Sequence, residues 1–246
     1  MSLGAIVWFS CAIFVAGALR GFTGFGFALA AVPLASLMLP PQLVVVSMLL
    51  MMSVVGVRDI LIEHKRADMV TLGPMAVGML AGTPIGVWAL SALPVAGVRM
   101  ALGGLAMLAV GLTWRTPRPE QRGGRWLAGV TGVASGICTG LAAMPGPPVI
   151  AYFMAFEPRV AVMRSSMIVF FPFAAAVALP SAFAAGLVGQ EHFVLAASGL
   201  PAMLVGTWLG RLGFERWGTR NYRPAAGAAL LVTALAALAK GVAELG

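Results

Sequence analysis

Charge is what this chain has least of. Only 10% of its 246 residues are Asp, Glu, Lys or Arg, where a soluble domain carries roughly 25%. With 60% of positions hydrophobic, the chain reads as an integral membrane protein with almost no mass outside the bilayer. There is no room for a nucleotide-binding domain, which argues against direct ATP-driven transport by this chain alone. Acidic residues are the scarcest, 8 against 16 basic ones. Asp59, Glu63, Asp68, Glu157 and Glu191 fall at the ends of apolar runs or in loops, so no carboxylate pair stands mid-membrane as a proton relay. Cys11 and Cys138 define neither a disulfide framework nor a metal cluster. His64 and His192 are too few and too scattered for a metal site. No cofactor is implied. The first apolar run lacks a basic lead-in and is expected to belong to the fold, not to a cleaved leader.

The net charge of +8 would suggest nucleic acid in a soluble protein. Here no basic stretch is interleaved with aromatics on a polar surface, and nucleic acid is dismissed as a partner. Basic residues collect in the cytoplasmic loops of membrane proteins, and the lipid bilayer is the partner that the composition requires. Apolar runs cover approximately 3–19, 22–39, 43–60, 69–90, 95–114, 126–142, 147–156, 163–187, 193–210 and 223–240. A crossing takes about 20 residues, so the fold class is an all-α, multi-pass membrane protein with eight to ten segments. The stretches 3–39 and 126–156 are poor as two full crossings each. Hairpins that break inside the bilayer fit them better, and such backbone is tolerated only within protein or along an aqueous cavity.

The chain repeats itself. Gly17, Gly21 and Pro33 return 115 positions later as Gly132, Gly136 and Pro148. Gly82-Thr83-x-x-Gly86 returns 124 positions later as Gly206-Thr207-x-x-Gly210, followed by the pairs Arg99/Arg223 and Gly103/Gly227. Two repeats follow, 1–114 and 126–246, joined by a basic linker at 115–125 that holds Arg115, Arg118, Arg122 and Arg125. Loop charge orients them. The loop 58–68 carries Arg58, Lys65 and Arg66, and its counterpart 182–192 carries no Lys or Arg. The loop 91–99 carries only Arg99, and its counterpart 211–223 carries Arg211, Arg216, Arg220 and Arg223. The positive loop has changed places, so the repeats are expected to be inverted. Placing 58–68, 115–125, 157–164 and 211–222 in the cytoplasm puts both termini outside, in a membrane of the bacterial inner-membrane type. Repeats with interrupted segments at matching places point to a transporter, with its solute near the bilayer midplane.

The first interruption reads Arg20-Gly-Phe-Thr23-Gly24-Phe-Gly26-Phe, then Pro33. The second reads Ser135-Gly-Ile-Cys-Thr139-Gly140, then Met144-Pro-Gly146-Pro147-Pro148. Proline in a first helical turn loses no N–H that the helix needs, so Pro147 and Pro148 mark the start of a half-helix with Gly146 as its lead-in. A half-helix N-terminus presents free N–H groups and the positive end of the dipole, which suits an anion. The plainer alternative is that these glycines only let helices pack. Arg20 is flanked by apolar residues and either meets an anionic solute or snorkels to the interface. Arg164 with Ser165 either lines the site from the second repeat or flanks a helix in the cytoplasm. Thr83 and Thr207 are expected to bond their own helix carbonyls.

The stretch GFTGFGFALAAVPL at 21–34, and GPPVIAYF at 146–153 followed by Arg164, resemble the two repeat motifs of the TauE/SafE family of membrane transporters. Gly24, Gly26, Pro33, Gly146, Pro147 and Pro148 match those motifs; Phe27 and Ala28 stand where the family has a triple-glycine run. The resemblance implies a secondary transporter, an exporter, of a small sulfur-containing anion such as sulfite or an organosulfonate. It places the site between the two interruptions; the residues themselves add Arg20 as the expected countercharge and Thr23, Thr139 and Ser165 as expected hydroxyl donors. An enzyme is not expected. The rival readings are an intramembrane thiol enzyme using Cys138 and a non-transporting anchor subunit. Self-association into a homo-oligomer remains open.

Overall fold

A computed structural model describes residues 2–23, 26–114, 123–157 and 159–217, with isolated positions 235 and 239. Among these residues there are nine helices and no strands. They are α1 (Leu3–Thr23), α2 (Phe27–Ala35), α3 (Pro41–Glu63), α4 (Met69–Ala92), α5 (Val95–Trp114), α6 (Arg125–Ala142), α7 (Gly146–Phe156), α8 (Val160–Ala184) and α9 (Gln190–Trp217). Five of them, α1, α3, α4, α8 and α9, are long and apolar enough to cross a membrane. The outward faces are apolar too: Val7, Val54, Val77, Trp88 and Trp208 are all more than half exposed. Lipid is the only surrounding that such faces tolerate, and the chain is a multi-pass membrane protein. Most of the linker, 115–122, and nearly all of the last apolar run lie outside the described residues.

Two helices are too short to cross. With a rise of 1.5 Å per residue, the 9 residues of α2 span about 14 Å and the 11 of α7 about 16 Å, roughly half of a hydrocarbon core of about 30 Å. Each follows a longer helix, so the two hairpins each combine a long arm and a half arm.

The breaks lie later in the chain than the repeat pattern suggests. α1 runs without interruption through Gly17 and Gly21, and α6 through Gly132, Gly136 and Gly140. These glycines serve contact. A Cβ on Gly132 would come within 2.0 Å of the Met75 carbonyl oxygen, and one on Gly82 within 2.1 Å of that of Val133. A Cβ on Gly21 would meet the Thr207 oxygen at 2.1 Å, and one on Gly210 the Ala18 oxygen at 2.0 Å. The α4–α6 and α1–α9 seams are therefore backbone-to-backbone contacts, the close approach that small residues permit in lipid. The plainer alternative holds for these positions. The pairing of Pro33 with Pro148 also fails. Pro33 is the seventh residue of α2, buried inside the helix, whereas Pro148 is the third residue of α7, where no N–H is required.

The seams have a definite order. α1 lies on α9 and α6 on α4, and α3 and α8 pack on each other. Along both glycine seams the contacts advance together: Gly78 meets Gly129, Gly82 meets Val133 and Gly86 meets Ile137, so those partners are parallel. Along α3–α8 they run in opposition, since Gly56 meets Pro172 and the Ser165 hydroxyl donates to Glu63 Oε2 at 2.7 Å. An antiparallel α3–α8 pair is consistent with the expected inversion of the two halves. Thr83 bonds its own helix, Oγ1 donating to the Met79 carbonyl at 2.8 Å; the buried Thr207 hydroxyl has no partner among the described residues.

Gly132→Ala is expected to lower the thermal unfolding midpoint clearly in detergent, because the backbones of α4 and α6 must part. Gly104→Ala, in open space on α5, should leave stability unchanged or raise it by about 0.5–1 kcal/mol. Equal midpoints for the two variants would contradict the seam.

Candidate functional site

Both half-helices begin at a built discontinuity. Before α2 stands Gly26 at φ 83°, ψ 4°, a left-handed residue that redirects the chain. Ala30 N–H donates to the Gly26 carbonyl at 3.1 Å, which opens the helix and leaves the Phe27, Ala28 and Leu29 N–H groups without helical acceptors. Before α7, α6 ends on Ala143 at φ 53°, with Ala143 N–H donating to Thr139 O at 2.7 Å and Met144 N–H to Cys138 O at 3.3 Å. The buried Ser135 hydroxyl then donates to the Pro145 carbonyl at 2.9 Å and fixes the turn. The first turn of α7 is Gly146-Pro147-Pro148. Proline has no N–H, so Gly146 alone supplies a donor there. The two N-termini are unequal: three backbone donors from the first repeat, one from the second.

They meet at one cavity of about 30 Å³. Gly26, Phe27, Ala28 and Leu29 line it from the first repeat and Met144, Pro145 and Gly146 from the second, with Met52 of α3 and Met167, Ile168, Phe171 and Pro172 of α8 closing it. A buried water takes about 10–15 Å³ on this scale, so the space holds two waters or a few-atom ion. Arg20 is the one charged residue among those that line it. Its side chain is 15% exposed and its Nη2 donates to Asp59 Oδ2, whose side chain is 22% exposed. Asp59 lies in α3, four residues before its end, and supplies the acid that no sequence neighbour of Arg20 provides.

A second arginine works at the far end of α2. Arg99, 6% exposed, donates from Nε to Ser36 O at 3.0 Å and from Nη2 to Leu39 O at 3.5 Å. A cation there satisfies carbonyls that the ending helix leaves open and complements the negative end of its dipole. The half-helix is thus held between Arg99 at its C-terminus and the cavity at its N-terminus. The pairing of Arg99 with Arg223 in sequence was the only signal for this residue, and Arg223 lies outside the described residues.

The expected site residues divide. Arg20, Gly26 and Gly146 line the cavity. Pro147 and Pro148 occupy the first turn of α7, and Pro33 is buried within α2. Thr23 closes α1, and Gly24 lies outside the described residues. The others do not line the cavity. Thr139 is buried and donates to the Ser135 carbonyl of its own helix at 2.7 Å. Gly140 sits in the α4–α6 seam, where a Cβ would come within 2.5 Å of the Thr83 oxygen. Ser165 is spent on Glu63, and Arg164 is exposed. Past the end of α7, Arg159 donates to Glu157 from Nε at 2.8 Å and from Nη2 at 3.1 Å and holds that carboxyl below the usual range. Neither histidine serves Cys138: His64 Nδ1 lies against the carbonyls of Ile60 and Leu61, and His192 Nδ1 accepts the Gly189 N–H.

A family model described as "Sulfite exporter TauE/SafE" matches residues 9–237. No match was found among curated proteins or among solved structures.

A Cβ on Gly26 would meet nothing within 4 Å, so any cost of Gly26→Ala comes from the backbone alone. A left-handed conformation costs an L-residue about 1–2 kcal/mol. Thermal unfolding in detergent is expected to show that loss, and an unchanged midpoint would contradict the left-handed start of α2.

Proposed function

The chain belongs to the TauE/SafE sulfite exporter family, and on that premise we propose that it is a secondary transporter that exports a small sulfur-containing oxyanion, sulfite or a short organosulfonate. The single observation that carries this reading is the convergence of both half-helix N-termini and Arg20 on one cavity. The N–H groups of Phe27, Ala28, Leu29 and Gly146 hold the anion's oxygens, aided by the dipoles of α2 and α7. Arg20 supplies the countercharge through its planar fork of donors. A cavity of about 30 Å³ suits a head group, and a longer organic tail requires the surrounding helices to part. Backbone donors fixed before the solute arrives need little reordering when it binds.

In this reading the repeats are inverted, and the α1–α9 and α4–α6 seams make rigid bundles that rock about the site. Both termini face outward, and the basic segments at 58–68, 115–125, 157–164 and 211–222, which include the adjoining ends of α3, α6, α8 and α9, face the cytoplasm of a bacterial-type cell. An inside-negative potential favours anion exit by about 2.3 kcal/mol per charge per 100 mV. That drives uniport without a proton relay.

In liposomes, Arg20→Ala is expected to reduce sulfite flux at least about tenfold, the loss of one charge-assisted contact of roughly 1.5–3 kcal/mol. Unchanged flux in the folded variant would remove Arg20 from the mechanism. Imposed voltage is expected to set the rate of wild-type flux; flux that ignores voltage and follows a pH gradient would overturn uniport.

A further inference from the structure

Arg20 stands between two acceptors. On one side is the cavity, where the positive ends of two helices already point. On the other is Asp59 of α3. Met52, seven residues before Asp59 and so on the same face of α3, lines the cavity. Gly56, between them, packs on Pro172, which lines it too. The carboxylate therefore sits along the wall of the site, about 10 Å from Met52 along α3, with the guanidinium bridging the interval.

An empty site built from two helix N-termini and an arginine gathers positive potential among apolar walls. A guanidinium exposed to only 15% is costly to leave without a counter-ion. Asp59 meets that need, and does so through one nitrogen, Nη2. A guanidinium has five N–H donors, so the pair with Asp59 leaves donors for an anion in the cavity that Arg20 also lines. We propose that Asp59 is a resident counter-ion that competes with the transported anion for Arg20. The arginine turns toward the solute when the site fills and returns to Asp59 when it empties. The carboxylate thereby limits affinity and speeds release, which a transporter needs and a storage site does not. This rests on the reading of Arg20 as the anion's partner.

The test is sulfite flux in liposomes with Asp59→Asn and Asp59→Ser, which remove the charge with different bulk, and with Asp59→Glu, which keeps it. The neutral variants are expected to lower the KM for sulfite about tenfold, equivalent to about 1.4 kcal/mol, and to lower the maximal rate, because release becomes slow. Asp59→Glu should keep both within about twofold of wild type. A carboxylate needed only for packing gives another pattern: lower thermal stability with KM unchanged or raised. That pattern would overturn the proposal, as would failure of both neutral variants to fold or an equal fall in KM for Asp59→Glu. If wild-type protein carries no sulfite, or Arg20→Ala leaves flux intact, the underlying reading fails instead. If those hold and the neutral variants leave KM in place, only the role of Asp59 fails.

Discussion

Backbone polar groups must find partners inside a bilayer, and two short helices of this chain start at buried breaks among its long apolar helices. That constraint governs the rest of the structure. A chain that begins a helix mid-membrane leaves N–H groups without acceptors, and lipid cannot satisfy them. The breaks before α2 and α7 are therefore enclosed by α3 and α8 and by each other. Nearby carbonyls are met locally, that of Pro145 by Ser135 and those of Ser36 and Leu39, just past α2, by Arg99. What stays open is a small group of donors facing one cavity. An anion is the partner that such a group favours.

The long helices supply the enclosure. Along α1–α9 and α4–α6 the backbones touch where glycine removes the side chain, so neighbouring helices are held without large apolar residues between them. Larger residues are then free to pack around the half-helices, where Phe27, Leu29, Met144, Ile150 and Phe153 are buried. The two kinds of contact divide the work: glycine seams join α1 to α9 and α4 to α6, and bulky side chains fix the short arms. Prolines sharpen the difference between the arms. Pro147 and Pro148 set the direction of α7 and remove two donors from it, so the first repeat carries most of the backbone chemistry and the only cationic lining residue among those described.

Much of this was legible in the residues. The apolar runs locate the nine described helices, because a membrane segment must be apolar, but α2 is shorter than its run at both ends and α9 continues to Trp217 past the run's end at 210. That Gly26 and Gly146 stand at breaks also follows from sequence, since clustered glycines, or glycine beside proline, interrupt an apolar run. The repeat pattern misled at Gly17, Gly21, Gly132, Gly136 and Gly140. A glycine that admits a neighbouring backbone and a glycine that ends a helix look alike in one dimension, and only the partner strand of contacts tells them apart. Asp59 was hidden for a similar reason. It lies 39 positions from Arg20, and nothing in local spacing announces that two helices will bring them together.

The central claim is that unwound backbone and one arginine hold the anion, and a structure determined with selenite, a heavier analogue of sulfite, tests it most directly. The account predicts selenium density in the cavity, with oxygens about 3 Å from the Arg20 guanidinium and from N–H groups of Phe27–Leu29 or Gly146. Selenite bound elsewhere, or in that cavity with neither half-helix donating to it, would contradict the account.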